Sequence, residues 1–503
     1  MRGLVKIKMN FRSLLKIKYL WYGGVLLAFL FIGWKIVGLQ QQQPRVEYFM
    51  EDEFVDYGDL RVVVPAGEFN LNTLNPFDVA LLVNSFEPLV RVDENFQVKT
   101  GLAVSWGLLD DLTWEFTLRK GVKFHNGAAF SSGDVVSRID GLLADADGEM
   151  FSLVDNIESI EAKGEYVVEI RTARPDPLLL KKLSKIFIVV EDDGKLMGTG
   201  PYNVVEIEDG RLLYGRSEGY WGARAKFDRV EVAVKEDKME RVLEVRDNGA
   251  EFISFVPPEA QELLREWNFV VDNIPSLEVQ FLLFNFDGIF GDIDMRRFVS
   301  RVLDRGELRD SIGGNISAVN QFVSRGVFGF NNKISLEVEA DGGEAGLSKQ
   351  TVQVHLPVGL DVLGDFLRTN LKEHNILAVV SYLDNEQLLK SMNQGRADIY
   401  FLAFRSDFAD SAAFFEAILL ADSEFNFINY LSDTLNDLVA MASGEMNPYR
   451  RGELLRQAMN LVVNDDVVGV PLFEYEQLYA YSSRFSYVPR LDGMFYFDDL
   501  ILK

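Results

Sequence analysis

The sequence contains no cysteine and only three histidines among 503 residues. The absence of cysteine excludes disulfides, thiol nucleophiles, thiolate metal sites and lipid anchors on a processed cysteine. The histidines His125, His355 and His374 lack the close spacing of a helical or turn-borne metal site, so neither a metal nor another cofactor is expected. Stability must therefore come from packing of hydrophobic residues, which make up 48% of a chain long enough for two or three cores.

Short motifs of the common enzyme classes are also missing. The sequence has no P-loop, nucleophile elbow, zinc-protease helix or dinucleotide-binding fingerprint. The glycine-rich segment 198–202 lacks the lysine and the spacing of a phosphate loop, and a tight turn explains it. The paired acids at 110–111 and 465–466 are typical of solvated turns, because acids are seldom buried. The sequence therefore predicts that the protein is not an enzyme.

Charge is distributed unevenly along the chain. Seven of the 51 basic residues lie in the first 43 residues, which contain no acid. The other 44 basic residues face 77 acids, which gives the remainder a net charge of −33. Such a domain repels a phosphate backbone, so nucleic acid is not expected as a partner.

The basic start precedes an apolar run that predicts a membrane anchor. Residues 19–34 are uncharged, and with Lys35, whose long side chain can reach the interface, the apolar segment extends over residues 19–39. About 21 residues at 1.5 Å each span roughly 31 Å, enough to cross the core of a bilayer. Because basic residues stay on the cytoplasmic side, residues 1–18 are expected in the cytoplasm and the C-terminal domain outside a single-pass cell-membrane helix.

A cleaved signal peptide is the alternative to this anchor, although no small-x-small cleavage site follows the apolar run. Residues 40–58 lack sustained periodicity and are interpreted as a linker. Beyond them, strand-like and helix-like patterns alternate irregularly, which predicts mixed α/β lobes.

Three segments show these local patterns clearly. In residues 113–119 every second side chain is apolar, as in a strand with one buried face. Ser131 followed by Asp134 resembles the capping box that begins a helix. Residues 351–383 carry the pattern of one strand–helix–strand unit.

Eight short motifs occur in a characteristic order. They are EPLV at 87–90, LAVSW at 102–106, LRKGVKFHNG at 118–127, SGDVV at 132–136, GTGPY at 198–202, GYWG at 219–222, DMRR at 294–297 and DFAD at 407–410. Over residues 59 to about 500, these motifs resemble the family 5 extracellular solute-binding proteins, the dipeptide- and oligopeptide-binding proteins of ABC importers.

The resemblance implies a periplasmic-binding-protein-like α/β fold, in which two ligand-binding lobes close over a ligand and an extra lobe packs beside them. Lobe I is then expected at residues 59–86, 198–275 and 478–503, the extra lobe II at 87–197, and lobe III at 276–477. Chain crossings near Pro275 and Leu478 would serve as hinges.

Peptide capture requires a site that fixes the charged ends and the backbone of a ligand while tolerating any side chain. Pairing of an extended ligand with protein strands satisfies the backbone. The resemblance implies that Asp407, in the DFAD motif, binds the ligand's ammonium, whereas local sequence alone also allows a turn or helix-capping aspartate. Arg405 is a candidate for the ligand's carboxylate. The remaining candidates for contact with the ligand are Asn72, Leu74, Asn75 and Phe408.

The resemblance thus implies a monomeric receptor that binds peptides and delivers them to ABC transporter permease subunits. A receptor of the same fold for another solute, such as a nickel chelate, haem or an oligosaccharide, is one alternative, because a fold does not name its ligand. A tethered peptide-sensing or chaperone module is the other alternative. An importer permease encoded beside the protein would discriminate a transport receptor from such a module.

Overall fold

The computed structural model describes residues 57–65, 67–335, 349–423 and 425–503. The predicted cytoplasmic segment 1–18, the anchor 19–39 and almost all of the linker 40–58 lie outside these residues. In the part of the chain that is described, no helix combines the length and the apolar character needed to cross a membrane. The anchor therefore stays a prediction from the sequence.

The strands form one large sheet and several small ones. In chain order they are β1 Asp59–Val64, β2 Glu87–Pro88, β3 Val90–Val92, β4 Val98–Thr100, β5 Ala103–Leu108, β6 Thr113–Leu118, β7 Ile157–Ala162, β8 Val167–Thr172, β9 Phe187–Ile188, β10 Val190–Asp192, β11 Lys195–Met197, β12 Tyr202–Glu208, β13 Arg211–Arg216, β14 Arg229–Val234, β15 Phe252–Ser254, β16 Phe269–Phe284, β17 Ile316–Ala318, β18 Gln350–Pro357, β19 Ile376–Leu383, β20 Ile399–Arg405, β21 Gly469–Ser482, β22 Phe485–Ser486 and β23 Ile501–Leu502.

The large sheet contains eleven strands in the order β12-β13-β14-β1-β15-β21-β16-β20-β18-β19, with β17 beside β21. A separate four-stranded sheet has the order β5-β6-β8-β7. The pairs β2-β9, β3-β4, β10-β11 and β22-β23 form two-stranded ribbons.

Helices lie between these strands along the chain. The α-helices are α1 Pro76–Leu82, α2 Ser132–Ala144, α3 Leu179–Leu183, α4 Lys238–Asn248, α5 Gln261–Glu266, α6 Ile293–Val302, α7 Arg305–Ile312, α8 Asp361–Glu373, α9 Asn385–Asn393, α10 Ala412–Phe414, α11 Asp433–Gly444 and α12 Pro448–Asn460. Short 3₁₀ helices occur at Glu149–Leu153, Pro258–Ala260, Gly288–Gly291 and Phe497–Asp499, and π-helical turns at Phe415–Leu419 and Leu461–Asp465.

The structure confirms the three local predictions. Strand β6 occupies most of residues 113–119. Helix α2 begins after Ser131, where the Asp134 carboxylate accepts the backbone N–H of Ser131 at 2.7 Å. Strands β18 and β19 pair in parallel and are connected through α8, which buries Leu363 and Leu367.

Two long strands join the two halves of the large sheet. Strand β21 pairs with β15 on one side, and β16 pairs with β20 on the other, while β16 and β21 pair with each other. Their register is interrupted after Pro275, and Leu277 in the interruption has a φ of 61°. Bulges of this kind bend a strand pair. The predicted hinge positions, Pro275 and Leu478, lie at or near this interruption, and their hinge role stays a prediction.

Hydrophobic cores lie on different parts of this framework. Residues between 89 and 188 form one core around α2 and the four-stranded sheet. Other cores pack on the half of the large sheet that contains β16, β18 and β20, and on the half that contains β1, β14 and β15. The boundaries of the three expected lobes stay a prediction.

Candidate functional site

A cavity lies where the end of β20 meets α1, the segment around α3 and the chain near its C-terminal end. About 90 Å³ of this space is open to the centre of a water molecule, which is room for several waters. We call it the inner cavity. Its charged lining residues are Glu87, Arg91, Lys181, Lys185, Arg405, Asp407 and Asp492. Its apolar wall includes Leu74, Phe86, Phe96, Phe187 and Phe408.

Asp407 lies in a tight turn that follows β20. The Ser406 hydroxyl closes this turn, because it accepts the backbone N–H of Asp410 and donates to the Asp410 carbonyl, both at 2.8 Å. Ala409 within the turn has a φ of 46°, a conformation that costs a residue with a Cβ on the order of 1–3 kcal/mol. Asp407 itself is exposed and forms no hydrogen bond or ion pair with the described residues. The turn therefore presents a free carboxylate at the wall of the inner cavity.

The second aspartate of the DFAD motif has a different role. Asp410 is 1% exposed, and its carboxylate forms a bidentate salt bridge with Arg451 of α12 at 2.6 and 2.9 Å. It also accepts the backbone N–H of Ala412, at the start of α10, at 3.1 Å. Asp410, and not Asp407, therefore accepts the backbone N–H at the start of α10, whereas Asp407 lies in the turn that precedes it, as the turn alternative expects.

Arg405 lines three adjoining cavities. Besides the inner cavity, these are a space of about 30 Å³ and an outer cavity of about 650 Å³, which Ser276 and Leu478 of the long strands also line. The half-buried guanidinium of Arg405 forms no hydrogen bond or ion pair within the described ranges. A ligand that extends from the inner to the outer cavity must therefore pass this side chain.

The other predicted site residues divide into two groups. Leu74 and Phe408 line the inner cavity together with Arg405 and Asp407. Asn72 and Asn75 are not among its lining residues. The Asn72 side chain accepts a hydrogen bond from Arg138 at 2.9 Å, and Asn75 caps α1 by accepting the backbone N–H of Phe77 at 3.0 Å. Their contact with a ligand stays a prediction.

Two lysines in or near α3, which belong to none of the sequence motifs, also reach the site. Lys181 Nζ donates to the backbone carbonyls of Phe408 and Ala409 at 2.7 and 3.3 Å. Lys185 lines the inner cavity, and burial lowers the pKa of its ammonium, an effect that nearby Asp407 opposes. Residues 179–185 have an ordinary lysine-rich helical pattern, so no local signal distinguishes these two lysines from solvated ones.

Glu87 explains why three of the sequence motifs occur together. Its buried carboxylate accepts hydrogen bonds from Trp221 Nε1 at 2.7 Å, Thr199 Oγ1 at 2.9 Å and the Tyr220 hydroxyl at 3.2 Å. Burial raises the pKa of Glu87, and these hydrogen bonds oppose the shift. The EPLV, GTGPY and GYWG motifs therefore meet at one carboxylate in the wall of the inner cavity.

The described residues contain no group of three or more His, Cys, Asp or Glu side chains arranged to hold a metal ion. The arrangement at the inner cavity is instead one of opposite charges around an apolar pocket. Such a site suits a small solute that carries both an ammonium and a carboxylate.

A family model described as bacterial extracellular solute-binding proteins, family 5 middle, matches residues 97–426, more than half of the chain. The nickel-binding protein NikA of Staphylococcus aureus is 24% identical over 265 residues, which cover 50% of this chain and 53% of that protein. The dipeptide-binding protein of Escherichia coli is 20% identical over 426 residues, 73% of this chain and 79% of that protein. The chain spans about half the length of the first curated relatives that it matches.

Solved structures show the same fold. HbpA2 from Haemophilus parasuis superposes with a TM-score of 0.79 at 17% identity, covering 88% of this chain and 100% of that one. NikA from Brucella suis in complex with Fe(III)-EDTA superposes with a TM-score of 0.73 at 19% identity, covering 88% of this chain and 100% of that one. At these identities the likeness shows the fold alone, and it confirms the predicted periplasmic-binding-protein-like α/β architecture.

Proposed function

The chain belongs to the bacterial extracellular solute-binding proteins of family 5, and we propose that it is the substrate-binding component of an ABC importer that captures di- and oligopeptides. In this proposal lobe I, at 59–86, 198–275 and 478–503, and lobe III, at 276–477, close over the ligand about hinges near Pro275 and Leu478. The extra lobe at 87–197 packs beside them. Capture makes and breaks no covalent bond, so the protein is proposed not to be an enzyme.

The free carboxylate of Asp407 carries this proposal. It lies at the wall of the inner cavity without a hydrogen bond or ion pair among the described residues, although two cations that are equally unpaired there, Arg405 and Lys185, line the same cavity. A peptide ammonium would supply the missing counter-charge. Closure of the lobes would strengthen that attraction, because exclusion of water lowers the effective dielectric constant around the pair. The apolar side chains of Leu74 and Phe408 would contact the ligand without selecting a particular sequence.

We propose further that residues 19–39 hold the receptor, as a monomer, at the outer face of the cell membrane. There it would deliver its ligand to the permease subunits of the transporter. A receptor for a nickel chelate is the second candidate. It is favoured by the similarity to a nickel-binding protein and by the cations Arg405 and Lys185, which line the inner cavity and could bind the carboxylates of a chelator.

The ligand that accompanies the protein would discriminate these candidates. The full-length chain, extracted in detergent from its native host, is purified without denaturation, and the bound small molecules are identified by mass spectrometry together with metal analysis. Peptides at near-stoichiometric amounts support the proposal. Nickel with a carboxylate-bearing chelator supports the second candidate and overturns peptide capture as the main function.

The role of Asp407 has a sharper test. Removal of one partner of a buried ion pair typically costs about 3–5 kcal/mol, so Asp407→Asn should weaken binding of tri-alanine by roughly a hundredfold or more. Acetylation of the peptide removes the ammonium, so wild type should lose affinity on acetylation and Asp407→Asn should discriminate far less. Calorimetry measures the affinity of wild type and of Asp407→Asn for the free and the acetylated peptide. Asp111→Asn is the matched control, because Asp111 is exposed and loses the same charge. Equal binding of tri-alanine by Asp407→Asn and wild type would show that Asp407 does not bind the ammonium.

A further inference from the structure

Lys185 differs from its neighbouring lysines because its ammonium has no hydrogen bond or ion pair among the described residues. Lys181 donates to two backbone carbonyls of the 406–410 turn. Lys182 forms a salt bridge with Asp176 at 2.9 Å. Lys185 lines the inner cavity, and among the described residues its ammonium has neither a hydrogen bond nor an ion pair. A cation that is largely withdrawn from water without a counter-ion is costly, so its position calls for an explanation.

The position of this ammonium relates it directly to the Asp407 turn. Its Nζ lies 5.9 Å from the centroid of the Phe408 ring. Asp407, Arg405 and Asp492 are the charged groups close enough to affect the pKa of Lys185, and neither aspartate forms a salt bridge with it. Lys185 therefore faces the same cavity as the carboxylate proposed to bind the ligand's ammonium.

The remaining charged groups of the inner cavity already have hydrogen-bond or salt-bridge partners. Glu87 accepts three hydrogen bonds from neighbouring side chains. Asp492 forms a bidentate salt bridge with Arg490 at 3.0 and 2.6 Å. Lys181 is bonded to carbonyls, and the Arg91 guanidinium donates to the carbonyl of Thr100 at 3.3 Å.

Three lining charges have neither a hydrogen bond nor an ion pair in the described part of the protein: the carboxylate of Asp407 and the cations of Lys185 and Arg405. A ligand that brings only an ammonium would leave both cations uncompensated in a closed cavity. A carboxylate on the same ligand would compensate them and would gain charge-assisted hydrogen bonds.

We infer that Lys185, together with Arg405, binds a carboxylate of the ligand, so that the extra lobe at 87–197 contributes directly to ligand selection. This inference rests on the proposed function and names a second anchoring point at the same site. It requires a ligand that has both a free ammonium and a free carboxylate.

Calorimetry with three peptides tests the inference. The probes are tri-alanine, its C-terminal amide and its N-acetyl derivative, and the proteins are full-length wild type, Lys185→Gln and Lys195→Gln. Lys195 lies in β11 of the same lobe, is exposed and does not line the inner cavity, so its replacement controls for loss of one positive charge. Thermal unfolding of each variant checks that folding is intact, and Lys185→Gln should melt no lower than wild type because it removes an unpaired charge.

A hydrogen bond to a charged group accounts for roughly a 10- to 100-fold change in affinity. Wild type and Lys195→Gln should therefore prefer the free acid to the amide by about that factor. Lys185→Gln should lose most of this preference while still discriminating against the acetylated peptide.

Two different failures can be told apart. If Lys185→Gln keeps the full preference for the free acid, or wild type shows none, the inference is wrong although peptide capture stands. If wild type binds none of the three peptides, the proposed function fails for peptides of this length and the inference fails with it.

Discussion

The same substitution, aspartate to asparagine, should have different effects at the two aspartates of the DFAD motif. Asp410 and Arg451 form a salt bridge whose side chains are 2% and 5% exposed. Arg451 also donates to the carbonyl of Ala442 at the end of α11. Asp410→Asn would leave the guanidinium buried without the carboxylate that it pairs with, whereas Asp407→Asn removes an exposed carboxylate that has no hydrogen bond or ion pair among the described residues.

The structure gives the expected size of each effect. Breaking a buried ion pair by removal of one partner costs about 3–5 kcal/mol. This is a large part of the roughly 5–15 kcal/mol that stabilises a folded domain. Substitution at an exposed position without special contacts changes stability by about 0.5 kcal/mol or less. Asp410→Asn should therefore destabilise lobe III strongly. Asp407→Asn should leave stability unchanged and lower the affinity for the ligand.

Guanidinium unfolding followed by circular dichroism measures the global change. Hydrogen exchange in α11 and α12 reports the local change, which is needed because a protein with several lobes does not unfold in one step. Arg451→Met and the double variant Asp410→Asn/Arg451→Met complete a thermodynamic cycle, in which the coupling energy should reach about 2–3 kcal/mol. If Asp410→Asn lowers the free energy of unfolding by less than about 1 kcal/mol, or if the two single substitutions have additive effects on it, the salt bridge does not stabilise the turn.

Three other predictions concern closure of the lobes, the pH dependence of stability and the membrane segment. Binding of a peptide should close the lobes, so X-ray scattering should show a smaller radius of gyration at saturating ligand and the melting temperature should rise with the logarithm of ligand concentration; unchanged scattering would indicate a rigid module. Because burial raises the folded-state pKa of Glu87 above its ordinary 4.5, the folded protein holds this proton longer than the unfolded chain. The Glu87 contribution to stability should therefore fall as pH rises above 4.5 and level off above the folded-state pKa. Denaturant titrations from pH 4.5 to 8 should show a weaker pH dependence of the unfolding free energy in Glu87→Gln than in wild type, with the exposed Glu94→Gln as control. The same pH dependence in Glu87→Gln and wild type would contradict this prediction. The chain should fractionate with membranes through residues 19–39, and a mature protein that begins near Gln40 and is found free of the membrane would show that the segment is a cleaved signal.

The sequence alone determined the local structure and the family. Alternating apolar residues predict β6, and the Ser131 and Asp134 pair predicts the start of α2, because both patterns depend on contacts within a few residues. The strand–helix–strand unit at 351–383 was predictable for the same reason. The motif order was sufficient to recognise a family 5 solute-binding protein, because each motif is a short segment that can be read without knowledge of its partners.

Only the tertiary structure decided which charges at the site are free. Asp407 and Asp410 are three residues apart in one motif, yet the turn with Ala409 at positive φ leaves one exposed at the cavity and buries the other against Arg451, 41 residues later. Lys181 bonds to a carbonyl 227 residues away, while Lys185 in the same segment has no such partner in the described structure. Pairing between distant residues leaves no periodic trace in the sequence, because it depends on how separate elements pack. The sequence therefore indicated Asp407 and Arg405 as candidates. That these two residues and Lys185 have no hydrogen bond or ion pair within the described ranges follows only from the folded arrangement of the groups around them.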